Sequence, residues 1–532
     1  MVLTDTEPVS PSADASRPGE EARRSLSRGE AVVVALVVVM GVVLRFWTRS
    51  HLWLDEALSV DIARLPLGEI GSALRQDGHP PLYYYLLHEW MLVFGQGDNA
   101  VRALSELFAV ATLPLGWLAG RRAGGPRAGW AFVVLLSLSP FAIRYATETR
   151  MYSLVMVLVL VGYLLLRNAL ERPSAVRLVG IALVTGALLL THYWALWLVA
   201  ATVVVLGWRA WRVAEERKVT VRALLAVVAG GLFLLPWLPS MLYQSAHTGT
   251  PWGAVVRPTT MAASTLRDFG GAGSDNSEAL LLGGALLALF LLGLFATRID
   301  DRRLVIDVRT LPQVRREAAV VGLTVAIACS AGYLTRTTFA TRYTAVIFPL
   351  FFVVAAVGLT RLDMPIVRQV VVVALVALGL VGGVNNVVTD RTQAGDIAAA
   401  MSPELQRGDL VVMCPDQLGP STHRVLPSST AQVTYPTFGS PDRVDWRDYE
   451  ERNAQADPKA FASGVVDRAH AAGAHSVWLV SSGSYKTLEG QCEALTTELG
   501  TLLGSGTLEV AENGDSFFEH AALVRFPGPA AT

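Results

Sequence analysis

The chain has 532 residues, of which 52% are hydrophobic and 17% charged, with a formal net charge of -1. A soluble chain carries about 25% charged residues. The composition therefore excludes an ordinary soluble domain, and no nucleic-acid partner is expected.

Residues 1–28 are rich in Pro, Ser, Glu and Arg and have no apolar core, which predicts a disordered cytoplasmic tail. Next comes "AVVVALVVVMGVVL", an apolar run without a small-residue cleavage site, which reads as an uncleaved signal anchor. Further runs of spanning length bring the expectation to about eleven transmembrane helices. They lie near residues 30–48, 101–119, 128–143, 151–167, 178–191, 193–208, 222–240, 277–297, 317–334, 344–360 and 367–388. Little more than "THYW" separates the fifth from the sixth, so that junction is either a tight turn or one broken helix.

Arginine-rich segments such as "GRRAGGPR", "RAWRVAEERKVTVR" and "TRIDDRRLVIDVRTLPQVRRE" fall on one side of the membrane. That side holds roughly twice the basic residues of the other, the positive-inside pattern. The N-terminus is thus expected in the cytoplasm and the C-terminal region outside a plasma membrane. Residues 29–389 form the expected transmembrane unit. Residues 390–532 alternate strand-like runs ("GDLVVMC", "AQVTY", "HSVWLV", "AALVRF") with helical ones, predicting a soluble extracytoplasmic α/β domain. Within it Cys414 and Cys492 are either a disulfide or two buried thiols, and Cys329 sits in an apolar run. The chain shows no G-x-G-x-x-G after a strand, no P-loop and no zinc-ligand spacing.

Polar residues gather where the apolar runs meet the outer side. Asp55 and Glu56 precede "ALSVDIARLPLGEI", which reads as an amphipathic helix on the membrane surface. Desolvating a carboxylate is costly, so the pair is either an exposed loop or a base in a cavity. His79, Pro80 and Pro81 stand ahead of Tyr83, Tyr84 and Tyr85, where the prolines stiffen the start of a helix. Arg144, Glu148, Arg150 and Tyr152 crowd one helix end, for which a salt-bridged terminus is the bland account. Arg336, Arg342 and Tyr343 precede another span. A snorkelling arginine accounts for them, and so does an arginine whose planar fork grips a phosphate. His192 reads as interfacial packing or cavity wall. Asp416, Gln417, His423 and Arg424 follow a strand, where α/β domains often bind ligands.

Together "LWLDEALS", "HPPLYYYLLHEW", "AVRALSELFAVATLPLGWLAGR", "ATETRMYSL" and "ATRYTAVIFP" resemble the GT-C superfamily of membrane glycosyltransferases. The branch is that of protein O-mannosyltransferases and lipid A aminoarabinose transferases, and the resemblance covers about residues 30–360. It implies an inverting transfer of a mannose- or arabinose-like sugar from a polyprenyl-phosphate carrier. The acceptor would be an extracytoplasmic glycan, lipid or protein of the cell envelope. In that resemblance Asp55 is the base and Glu56 its supporting neighbour. Arg342 holds the carrier phosphate with Tyr343 beside it, and Arg150 and His79 belong to the donor site. Glu148, Tyr152, Tyr83 and His192 are expected on the cavity wall. His79 stands where some relatives carry Lys, and a neutral imidazole cannot neutralise phosphate as Lys does. No cofactor is required, although a divalent cation can bridge carboxylate and phosphate. The rival readings are a secondary transporter and a non-catalytic envelope-binding sensor.

Overall fold

The computed structural model describes residues 26–529 apart from 251–252, 254–255, 272–276, 301–302, 336–337 and 363. Most of the expected tail, residues 1–25, and Arg336 therefore lie outside the described residues.

The first helix, Arg28–Arg45, starts at a reciprocal cap. Ser27 Oγ accepts from the Glu30 N–H at 3.3 Å, and Glu30 accepts from the Ser27 N–H at 2.9 Å. Each apolar run expected from the sequence contains a helix. Among the described residues, seven helices are long and apolar enough to cross a membrane, and an eighth span arises if one bent pair is counted. The chain is a multi-pass membrane protein in this sense. The shortfall against eleven has physical causes. Ala175–Thr191 is apolar but short. Phe348–Leu359 has only 12 residues, or about 18 Å of helix against a ~30 Å hydrocarbon core. Every residue of Phe348–Leu359 is buried, so it is the bundle's central helix, apolar on all sides. A 3-10 turn, Thr341–Val346, leads into it and carries Arg342 and Tyr343.

The "THYW" junction is a turn between separate helices, Ala175–Thr191 and Ala195–Arg212. The broken helix lies elsewhere: Pro126–Ser137 and Pro140–Ala146 meet at 61°. Pro140 cannot continue the helical ladder, so carbonyls at the end of the first piece need other donors. Buried Arg45 supplies them, bonding Ser137 O and Leu136 O at 2.7 Å each.

Between the first helix and Asp98–Gly124 lie three short helices, Leu54–Ala63, Leu67–Asp77 and Leu82–Phe94. The first was expected on the membrane surface. Instead every residue of it except Asp55 is buried, because the C-terminal domain packs over it. The helix Gly419–Val425 touches it, and Trp53 and Leu54 share a small core with Val444, Trp446 and Tyr449.

The C-terminal domain is built on a five-stranded mixed sheet in the order Ala431–Thr434, Leu410–Cys414, Ser476–Ser481, Ala522–Pro527, Thr507–Val510. The first three strands are parallel, with Val412 opposite both Val433 and Leu479. The last two are antiparallel additions at one edge. Parallel strands need crossovers, and the helix Pro458–Ala472 provides one of them. It begins at the Asp457 cap and stops at Gly473, whose φ of 64° suits glycine. Gln491–Leu503 packs beside it.

Cys414 and Cys492 are disulfide-bonded, 78 residues apart, and Cys329 is free and buried. Closing a loop of that length stabilises the folded state by about 4 kcal/mol in the chain-entropy picture. Cys414→Ser is expected to lose stability on that order, read as a lower urea midpoint for the fluorescence of buried Trp478.

Candidate functional site

One cavity gathers the chemistry. It has a volume of about 420 Å³ and lies at the end of the bundle next to the C-terminal domain. Its walls include Asp55, His79, Arg150, His192, Arg342 and Tyr343. The C-terminal domain contributes Trp446.

Asp55 enters the cavity from the first turn of Leu54–Ala63. Its Oδ2 lies 3.3 Å from Arg342 Nη1 and 4.0 Å from Arg150 Nη2. Burial pushes the Asp55 carboxyl up, but Arg342 and Arg150 outweigh it and hold it below the ordinary carboxylate range. Asp55 is thus an ionised acceptor at neutral pH.

Arg150 comes from the non-helical turn that links Pro140–Ala146 to Tyr152–Glu171. Its Nη1 donates to Ser59 Oγ at 2.9 Å and to the Asp55 carbonyl at 3.3 Å. Its Nη2 lies 2.9 Å from His79 Nε2. Arginine can only donate, so His79 Nε2 accepts, and Nδ1 carries the proton toward Asp77 Oδ2 at 2.7 Å. His79 is placed by chain geometry. Leu67–Asp77 ends at Gly78, with φ 95°, and Pro80–Pro81 launch the next helix. Both ring nitrogens are therefore engaged, Nδ1 with Asp77 and Nε2 with Arg150.

The His192 and Tyr343 rings pack at a tilt of 59° with centroids 5.4 Å apart, and the Arg342 guanidinium stands 6.0 Å from the Tyr343 ring. Burial pushes the His192 imidazole down to about 3, so it is neutral, and its Nδ1 accepts from the Trp194 N–H at 3.1 Å.

Four expected residues lie outside this cavity. Glu56 sits roughly 100° further round the helix from Asp55. Its carboxylate takes Arg102 in two bonds, at 2.8 and 2.7 Å, and the Thr149 N–H at 2.9 Å, with Arg391 at 3.5 Å. Both Glu56 oxygens are thus engaged by buried partners, away from the cavity that Asp55 faces. Glu148 is buried behind the wall, accepting from Arg144 Nε at 2.7 Å. Tyr83 is sealed in the core, its hydroxyl 2.9 Å from Ser105 Oγ. Tyr152 packs between Tyr145 and His192, one layer back. In the C-terminal domain, Asp416 and Gln417 are occupied by Tyr449, at 2.5 and 3.2 Å, and His423 by Gln432 at 3.3 Å. Arg424 pairs with Asp98 at 2.9 Å. That loop forms the seam to the bundle and is not an open ligand site.

Arg102, Arg391 and Asp77 were not singled out from the sequence. Arg102 had a usable signal, a charge inside an apolar run. Arg391 reads as an unremarkable arginine just past a span, and only the fold brings it to Glu56. Among the described residues no group of three or more His, Cys, Asp or Glu side chains converges as a metal site.

Removing Glu56 leaves Arg102 and Arg391 buried without their shared counter-charge. Glu56→Ala is expected to cost about 3–5 kcal/mol, measured as a fall in melting temperature and folded yield.

Residues 78–239 match the dolichyl-phosphate-mannose-protein mannosyltransferase family. No curated protein matches the sequence significantly. Among solved structures, ArnT from Cupriavidus metallidurans bound to undecaprenyl phosphate is similar at 15% identity and a TM-score of 0.54, covering 94% of this chain and 98% of that one. The Archaeoglobus fulgidus oligosaccharyltransferase in complex with Zn and sulfate is similar at 11% identity and a TM-score of 0.52, covering 84% and 67%. At these identities the likeness to the solved structures is one of fold. By that fold, and by the family match over residues 78–239, the chain is similar to membrane glycosyltransferases of the GT-C superfamily.

Proposed function

We propose that this protein transfers a sugar, with inversion, from a polyprenyl-phosphate carrier to a hydroxyl acceptor on the outer side of the plasma membrane. The observation that carries the reading is the meeting of Asp55 and Arg342 at 3.3 Å on one cavity wall. The undecaprenyl phosphate bound to a protein of the same fold supports the choice of carrier. The positive-inside pattern supports a cytoplasmic N-terminus and an extracytoplasmic C-terminal domain.

Each group has a defined task. The carrier phosphate displaces the Asp55 carboxylate from Arg342, whose fork offers two donors to phosphate oxygens. The acceptor hydroxyl must lie within about 3 Å of Asp55, which takes its proton as the oxygen attacks the anomeric carbon. The bond from that carbon to the phosphate oxygen breaks, and its electron pair leaves on the phosphate. Arg342 stabilises this charge, so no strong general acid is needed. His79 takes no part in neutralising the phosphate. It holds Arg150, which holds the Asp55 backbone. The mannose- or arabinose-like sugar and the glycan, lipid or protein acceptor are further parts of this proposal.

The test is incubation of purified protein with a panel of radiolabelled polyprenyl-phosphate sugars and cell-envelope extract. Consumption of one donor, with label appearing in an acceptor, supports the function. Indifference to every donor overturns it.

A further inference from the structure

The helix that carries Asp55 has no cap of its own. Its N-cap position is Trp53, whose side chain makes no capping bond. The first N–H groups of a helix need acceptors from elsewhere. Glu519, in the C-terminal domain, supplies one: its Oε2 accepts from the Leu54 N–H at 2.5 Å. Its other oxygen accepts from Thr392 Oγ1 at 2.9 Å and from the Ser421 hydroxyl. These partners are a backbone amide and two hydroxyls, with no cation among them. Burial pushes the Glu519 carboxyl up to about 7.

The backbone of Glu519 is fixed as well. Its N–H donates to the Arg391 carbonyl at 2.8 Å, and its carbonyl accepts from the Gln393 N–H at 2.9 Å. Phe518 packs edge-on against Trp53 at 5.2 Å. The side chain of Arg391 reaches Glu56 at 3.5 Å. Residue 54 is thus held through its amide by the C-terminal domain, and residue 56 through its carboxylate by Arg102 of the bundle together with Arg391. Asp55 lies between them and faces the cavity.

Resting on the transfer reaction proposed above, we propose that Glu519 is a positioning residue. By capping Leu54–Ala63 from the C-terminal domain, it fixes the direction in which the Asp55 carboxylate faces the cavity. The domain is then part of the transferase centre although it supplies none of the reacting groups.

The experiment uses the full chain in nanodiscs and compares Glu519→Ala with Glu519→Gln, whose amide oxygen still accepts from Leu54. Misplacing a base by about 1 Å costs on the order of 10²-fold in turnover. Glu519→Ala is expected to lose kcat by roughly 10-fold to 100-fold with the donor KM unchanged, and Glu519→Gln to recover most of it. Hydrogen exchange at Leu54–Ala57 should rise in Glu519→Ala and stay at the wild-type level in Glu519→Gln. Wild-type kcat in Glu519→Ala overturns the proposal, as does a loss that Glu519→Gln fails to recover. If the wild type transfers no sugar at all, the proposed function fails. The exchange arm then still decides the cap, with unchanged protection in Glu519→Ala counting against it. Should Glu519→Ala not fold, Glu519→Asp takes its place, since the shorter side chain withdraws from Leu54 while keeping its carboxyl group. A lower kcat at constant KM supports the role there, and an unchanged kcat overturns it.

Discussion

Asp55→Asn is expected to lower sugar transfer by about 10³-fold while the protein still folds and still binds its donor. Asparagine keeps the size of the side chain and one acceptor oxygen but cannot take a proton. The carboxylate projects into the cavity, and every other residue of its helix is buried. The helix packing therefore does not depend on this side chain. Arg342 and Arg150 hold the carboxyl below its ordinary range, so the base is ionised before the acceptor arrives. The contrast with Glu56 makes the experiment specific. The two acids are adjacent, but Glu56→Ala should reduce the amount of folded protein, and Asp55→Asn should reduce the turnover of protein present in normal amount. The checks are a donor-consumption assay and a melting curve on the same preparations.

Arg342→Ala is the second large effect. Loss of one preorganised donor to a developing charge costs about 10²–10³-fold in turnover, and donor affinity should fall with it because the phosphate loses its fork. Arg342→Lys should recover only part, since an ammonium is a point charge without two parallel donors. The pH dependence carries a sign. In the wild type, burial raises the Asp55 carboxyl and Arg342 is the strongest influence lowering it. Without that guanidinium the burial contribution gains weight, so the Asp55 pKa rises. The residual activity of Arg342→Ala should therefore fall away at a higher pH than the wild type as the medium is acidified. A pH profile of kcat for both proteins tests the direction.

Much of this arrangement was legible in the chain, and what was hidden has a physical pattern. Apolar runs report helices reliably, because a membrane-buried backbone must satisfy its hydrogen bonds within the helix. They do not report how far each helix reaches. Phe348–Leu359 is apolar throughout, yet it is a short central helix preceded by a 3-10 turn. Asp55, His79, Arg150, His192, Arg342 and Tyr343 were all marked from the sequence, and the fold brings them to one cavity. Side-chain direction was the hidden part. Asp55 and Glu56 are neighbours, but the roughly 100° between successive helical residues sends the first to the cavity and the second to Arg102 and Arg391. Glu148 and Tyr152 stand one layer behind Arg150, within and just after the non-helical turn that carries it. Contacts across hundreds of residues, such as Arg391 to Glu56, leave no trace in local spacing.

The most direct test of the central claim is a structure of this protein with polyprenyl phosphate bound. The account predicts the phosphate within hydrogen-bonding reach of the Arg342 guanidinium, with the Asp55 carboxylate swung free of that arginine and facing the open side of the cavity. A phosphate seated elsewhere in the bundle, with the Asp55–Arg342 pair still closed, would contradict it.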